Sequence, residues 1–100
     1  MKRDDFTKQT IRVLAMRVGC KCSNPACRRP THGAHSDPTK PLIIGEAAHI
    51  TAADLGGPRY DSTLTKEERR HITNGIWLCS NCADLIDKDE ATFPVKLLLS

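Results

Sequence analysis

The chain has 100 residues, 27% of them charged and only four aromatic, a single-domain length whose thin apolar inventory calls for a staple beyond hydrophobic packing. Its net charge of +3 and sequence pI near 8.7 suit a nucleic-acid partner without demanding one. No apolar run approaches the roughly 20 residues that span a membrane, and Met1-Lys2-Arg3-Asp4-Asp5 is not an apolar leader, so the expectation is a soluble, cytoplasmic protein of one domain over residues 1–100.

From Thr7 to Val18 the apolar residues Ile11, Leu14, Ala15 and Val18 recur at helical spacing. Asp4 or Asp5 can cap this helix, and Gly19 stands where a left-handed stop belongs. Its apolar stripe is expected to pack on the rest of the domain. The segment from Arg28 to Pro41, with its prolines, Gly33, His32 and His35, reads as an irregular loop, and the two histidines lack partners at spacings that suggest a second metal. Leu42 to Ile50 reads as a strand through Ile43 and Ile44 that closes on His49. A loop over 51–63 leads to a short helix entered at Thr65, with Glu68 completing a capping box. Gly75 to Cys79 reads as a second strand, and Ser80 or Asn81 can cap a helix through Ala83, Leu85, Ile86 and Asp87. In the tail, Pro94 suits a first helical turn and Leu97-Leu98-Leu99 needs cover. That run over 93–100 can fold back on the N-terminal helix, contact another subunit as a homo-oligomer, or continue into an additional domain of a longer parent protein.

Four cysteines form two knuckles, Cys22-x4-Cys27 and Cys79-x2-Cys82. Two turns that each offer two thiolates match a closed tetrahedral zinc site, which is favoured over a disulfide framework in a chain with no apolar leader. Cys20 is the spare thiol and can exchange for Cys22 in the set.

Between and beyond the knuckles stand Gly45-Glu46-Ala47-Ala48-His49-Ile50, then Asn74-Gly75-Ile76-Trp77-Leu78-Cys79-Ser80-Asn81-Cys82, then Leu85-Ile86-Asp87. In this order the residues resemble the HNH endonucleases of the ββα-metal (His-Me finger) superfamily, over roughly residues 22–89. The resemblance implies a small α+β fold: a ββα-metal core carrying the zinc knuckle pair, with the N-terminal helix added. It implies a metal-dependent endonuclease that hydrolyses DNA phosphodiester bonds, or the nuclease module of a larger defence, phage or mobile-element system. The alternative is a non-catalytic zinc-stabilised module that binds DNA or a protein.

Carried over residue by residue, the resemblance makes His49 the general base and Asn74 the residue that holds the intervening loop so that the imidazole points correctly. A histidine suits the task because its unperturbed pKa is near 6.5. Asp87 is then the candidate ligand for a catalytic Mg²⁺ or Mn²⁺, a hard cation suited to carboxylate oxygen. Glu46 is a weaker candidate, since alternation along a strand turns it away from His49. The chain departs from the family pattern at Ala83, where a histidine usually stands, and at Ala48, where relatives often place an aspartate or histidine. Arg28, Arg29, Arg59, Lys66, Arg69 and Arg70 are candidates for phosphate neutralisation.

Overall fold

The computed structural model describes residues 5–52, 56, 57 and 59–99; Asp4, one of the two expected caps, lies outside them. Helix α1 spans Lys8–Arg17, and its cap is Thr7, whose hydroxyl accepts from the Thr10 amide at 3.1 Å. Thr7 supersedes Asp5 because its β-region backbone places the side-chain oxygen over the open turn. The helix ends through Val18, and Gly19 follows at φ 64° as expected. Cys20 is also left-handed, at φ 58°, so the chain reverses sharply and returns beside α1.

The region 28–41 is not wholly irregular. Strand β1 (His32–Ala34) pairs antiparallel with β2 (Pro41–Ile43), a hairpin whose signal is masked by prolines at its ends. The expected strand over 42–50 is therefore broken into β2 and β3 (Gly45–His49). The break falls at Ile44, whose amide donates to the Thr31 carbonyl at 2.8 Å. Helix α2 (Lys66–Arg70) carries the expected capping box between Thr65 and Glu68. A 3-10 turn over Ile72–Asn74 leads into β4 (Gly75–Cys79), which pairs antiparallel with β3 from Gly45 opposite Cys79 to His49 opposite Gly75. Gly75 has φ −110°, so Asn74-Gly75 enters a strand and is not a left-handed turn.

Helix α3 (Ser80–Lys88) follows β4 directly, and its cap is Cys79 in place of Ser80 or Asn81: the Cys79 sulfur accepts from the Cys82 amide at 3.4 Å. Helix α4 (Val95–Leu99) begins after Pro94. Where the tail folds back, it meets the α3 side of the core and not the N-terminal helix: Leu98 packs with Phe93 against the cysteine-bearing cluster, while Leu97 and Leu99 stay exposed.

The β3–β4 ribbon separates two small cores. On one face Ala48 and Leu78 meet Cys22, Cys79, Cys82, Ala83 and Ile86. On the other, Ala47 and Trp77 meet Leu14 and Ala15 of α1. Period-two alternation assigns neighbouring residues to opposite cores, which is how so short a ribbon supports helices on both sides. The result is a small α+β unit, and among the described residues no helix is long and apolar enough to cross a membrane.

The Trp77 side is held by one fully buried hydroxyl. Thr31 Oγ1 donates to the Cys20 carbonyl at 2.6 Å and accepts from Trp77 Nε1 at 2.9 Å. Gly45 lies against this pair: an added Cβ would meet Trp77 Cζ2 at 2.5 Å and Thr31 Cβ at 2.9 Å. Both neighbours are buried, so Gly45→Ala should destabilise the fold by about 1–3 kcal/mol as an overpacked core does. Thermal unfolding checks this, with a Tm lowered by roughly 4–8 °C for each kcal/mol.

Candidate metal centre and strand-end site

The sulfurs of Cys22, Cys27, Cys79 and Cys82 lie within 4.8 Å of one another, the grouping expected from the two knuckles. Cys20 is left out of it and lies instead with the α1-side core. Local structure makes the cluster: an Asn24 turn brings the Cys27 amide to the Asn24 carbonyl, and the Cys22 amide donates to the Arg29 carbonyl at 2.9 Å. Cys79 and Cys82 stand at the cap and first turn of α3. Asn24 Nδ2 donates to the Cys82 sulfur at 3.5 Å.

The thiols share charge unequally. Burial opposes ionisation at Cys79, but the Cys82 amide and the neighbouring thiols outweigh it and bring its pKa down to about 7. Burial pushes Cys82 up to about 12, and burial also raises Cys22. Without a cation the cluster thus holds one readily formed thiolate, seated on Cys79 and hydrogen-bonded by its neighbours. A bound divalent ion reverses this, because four thiolates around one positive centre are mutually screened. Four sulfurs and no oxygen donor fit a soft, tetrahedral ion such as zinc in a structural site.

Across the ribbon, His49 ends β3, half-buried, with its ring stacked on Phe6 at 4.1 Å between centroids and 13° between planes. It lies on the α1 face. Phe6 was not singled out from sequence, although an apolar residue just before an N-cap is a recognised helix-entry signal.

Asn74 is buried and fully used. Its Oδ1 accepts from the Thr51 amide at 2.9 Å, and its Nδ2 donates to the carbonyls of Thr51 at 3.0 Å and Arg69 at 2.9 Å. Its backbone carbonyl accepts from the Ile50 amide at 2.8 Å. One residue therefore fixes the two positions that follow His49, and it ties them to the end of α2.

The expected catalytic-ion ligands are arranged differently. Ala48 and Ala83 meet in the same apolar core, where neither offers a donor. Asp87 Oδ1 accepts from Arg59 Nη2 at 3.0 Å, an ion pair whose arginine side chain is 4% exposed and whose aspartate is 49% exposed. Glu46 is exposed and shares the Ala48 face by register, opposite His49. His49 thus faces α1 while Asp87 is carried by α3, and among the described residues neither belongs to a group of three or more candidate ligands. Among the described residues the cysteines form the one cluster of three or more candidate ligands. Among the described residues, those around His49 form no group of three or more ligands that would hold Mg²⁺ or Mn²⁺.

The basic residues expected to face phosphate are largely turned to internal carbonyls. Arg28 donates to Cys22, Arg69 to Leu64 and Arg70 to Asp5, and Arg69 also lies over the Tyr60 ring at 5.4 Å. Beside Asn74 opens a cleft of about 1310 Å³ whose rim includes Asp61, Glu67, Glu68 and Glu90. That acidic rim makes the cleft itself a poor seat for a nucleic-acid phosphate. His32 and His35 sit at β1 and its following turn; His35 Nδ1 accepts from the Asp37 amide, a turn-building role.

No protein-family model matches the chain, and no curated protein matches it significantly.

Proposed function

We propose that this chain is an HNH-like endonuclease module that hydrolyses DNA phosphodiester bonds, with a four-cysteine zinc as its structural staple. The observation that carries this reading is the set of Asn74 bonds to Thr51, which fixes the chain immediately after a strand-end histidine. In the reaction, His49 takes a proton from water, the water oxygen forms the new bond to phosphorus, the bridging P–O bond breaks, and the departing oxygen takes up a proton from solvent. Asn74 orients the base and does not touch the reacting atoms. The exposed Arg29 and Lys66, with the free N–H groups of Arg28 and Arg70, supply the phosphate contacts. Among the described residues the hydrolytic Mg²⁺ or Mn²⁺ implied by the resemblance has no group of three or more ligands at His49, and no step is assigned to it.

A second reading is favoured by one observation: both alanines that replace usual ligand positions are sealed in an apolar core. On that reading the chain is a non-catalytic zinc-stabilised module that binds DNA or a protein. Plasmid cleavage by the zinc-loaded chain, run with Mg²⁺, with Mn²⁺ and with EDTA, decides between them. Cleavage that disappears in His49→Ala supports the endonuclease; retained DNA binding with no cleavage under any condition establishes the binding module.

A further inference from the structure

Arg59 joins three parts of the chain that sequence separates. Its backbone lies in the left-handed region, at φ 57°, uncommon for a residue with a side chain. From there Nε donates to the Ile50 carbonyl at 2.6 Å, Nη1 to the Ile86 carbonyl at 2.7 Å, and Nη2 to Asp87 Oδ1 at 3.0 Å. Its own amide donates to Glu90 Oε2 at 2.7 Å. A guanidinium that is 4% exposed must have its N–H groups satisfied and a counter-ion nearby, and each of its three nitrogens has an acceptor here. Ile86 is in the last turn of α3, where carbonyls lack helical partners and a cation is favoured.

The Ile50 carbonyl is one residue beyond His49, and the Ile50 amide is held by the Asn74 carbonyl. The peptide planes that leave His49 are thus clamped from two sides, by Asn74 on the β4 side and by Arg59 on the α3 side. We infer that Arg59 is a positioning residue for His49 and that Asp87 serves as its counter-ion, not as the ligand of a hydrolytic ion. The assignment deepens the endonuclease reading and rests on it for its kinetic part; the clamp itself is a structural claim that stands apart from cleavage. Lysine cannot replace the planar fork, since one ammonium cannot reach the three divergent acceptors with the same geometry.

The experiment compares wild type, Arg59→Ala, Arg59→Lys and Asp87→Asn, all zinc-loaded, by plasmid cleavage across Mg²⁺ concentrations and by amide hydrogen exchange at Ile50, Thr51 and Asn74. For Arg59→Ala the expected result is kcat lowered roughly 10–100-fold, as loss of an orienting partner typically gives, with KM and the Mg²⁺ midpoint unchanged and exchange at Thr51 accelerated. Arg59→Lys should recover part of the loss. Asp87→Asn keeps an oxygen acceptor, so its kcat should fall less than that of Arg59→Ala and its Mg²⁺ midpoint should stay put. Two results overturn the proposal: faster exchange in Arg59→Ala with kcat intact, or an Asp87→Asn variant whose Mg²⁺ midpoint rises tenfold while exchange at Thr51 is unchanged. Should wild type cleave nothing, the endonuclease reading fails by itself and the positioning role with it, and unaltered Thr51 exchange in Arg59→Ala would remove the clamp as well. If Arg59→Ala does not fold, Arg59→Lys and Asp87→Asn carry the same comparisons.

Discussion

Changing Cys79 and Cys82 together to serine will abolish cooperative unfolding of this chain. The two sulfurs are half of a four-sulfur cluster, and Cys79 also caps α3 through the Cys82 amide. The cluster's neighbours are small: Ala48, Ala83, Leu78 and Ile86 are the other buried members of that core. Such a core stabilises little by itself, whereas structural zinc in small cysteine sites contributes apparent binding energies of about 10–16 kcal/mol near pH 7. Elemental analysis should find about one zinc per folded chain, and circular dichroism should show a broad, non-cooperative melt for the double variant. The pH dependence follows from the thiol shifts. The metal binds thiolates, so protons must leave Cys22 and Cys82, both raised, while Cys79 at about 7 is already partly ionised at neutral pH. Affinity therefore falls as pH falls, and stability supplied by the ion is lost with acid, not with base. Zinc release to a colorimetric chelator should rise between pH 8 and pH 5. A folded, reduced sample that contains no zinc at either pH would defeat the structural-metal reading.

The parts of the fold that depend on short-range chemistry were legible before the structure. The spacing of Cys22, Cys27, Cys79 and Cys82 is a local pattern with a metal-geometry meaning, and the four sulfurs do converge. Thr65 and Glu68 form their capping box because both partners lie within one turn. The break at Ile44 was hidden, since nothing in Leu42-Ile43-Ile44 signals it. It is imposed by Thr31, whose buried hydroxyl and carbonyl organise Trp77, Cys20 and the Ile44 amide. Arg59 shows the same limit more sharply. Among basic residues its sequence context reads as a phosphate contact, yet its acceptors lie at Ile50, Ile86 and Asp87, and only the fold brings them together. Asp87 was correctly placed on α3, but helical spacing specifies the helix face and not the partner that claims the carboxylate. Cys79 replaced Ser80 and Asn81 as the cap because the chain is already turning into α3 at the cysteine cluster, where a sulfur can accept the amide.

The two residues at the heart of the proposed function should fail in different ways when truncated. His49→Ala removes a half-buried ring stacked on Phe6 and leaves every Asn74 bond intact, so the fold should lose on the order of 1 kcal/mol, the scale of a stacked aromatic pair. Cleavage should drop by roughly 100-fold or more, the usual contribution of a positioned base, with DNA affinity nearly unchanged. Asn74→Ala strands the Thr51 amide and the carbonyls of Thr51 and Arg69 at a buried position. Leaving buried groups unsatisfied costs about 1–3 kcal/mol each, so this variant should be the less stable of the two and should lose activity through disorder of the loop. Parallel melts, filter-binding and plasmid cleavage separate the cases: His49→Ala stable, bound and inactive; Asn74→Ala destabilised and inactive. A His49→Ala chain that cleaves at the wild-type rate, in a preparation shown free of contaminating nuclease, would remove His49 from the chemistry and leave a zinc-stapled binding module whose Asn74 serves the fold alone.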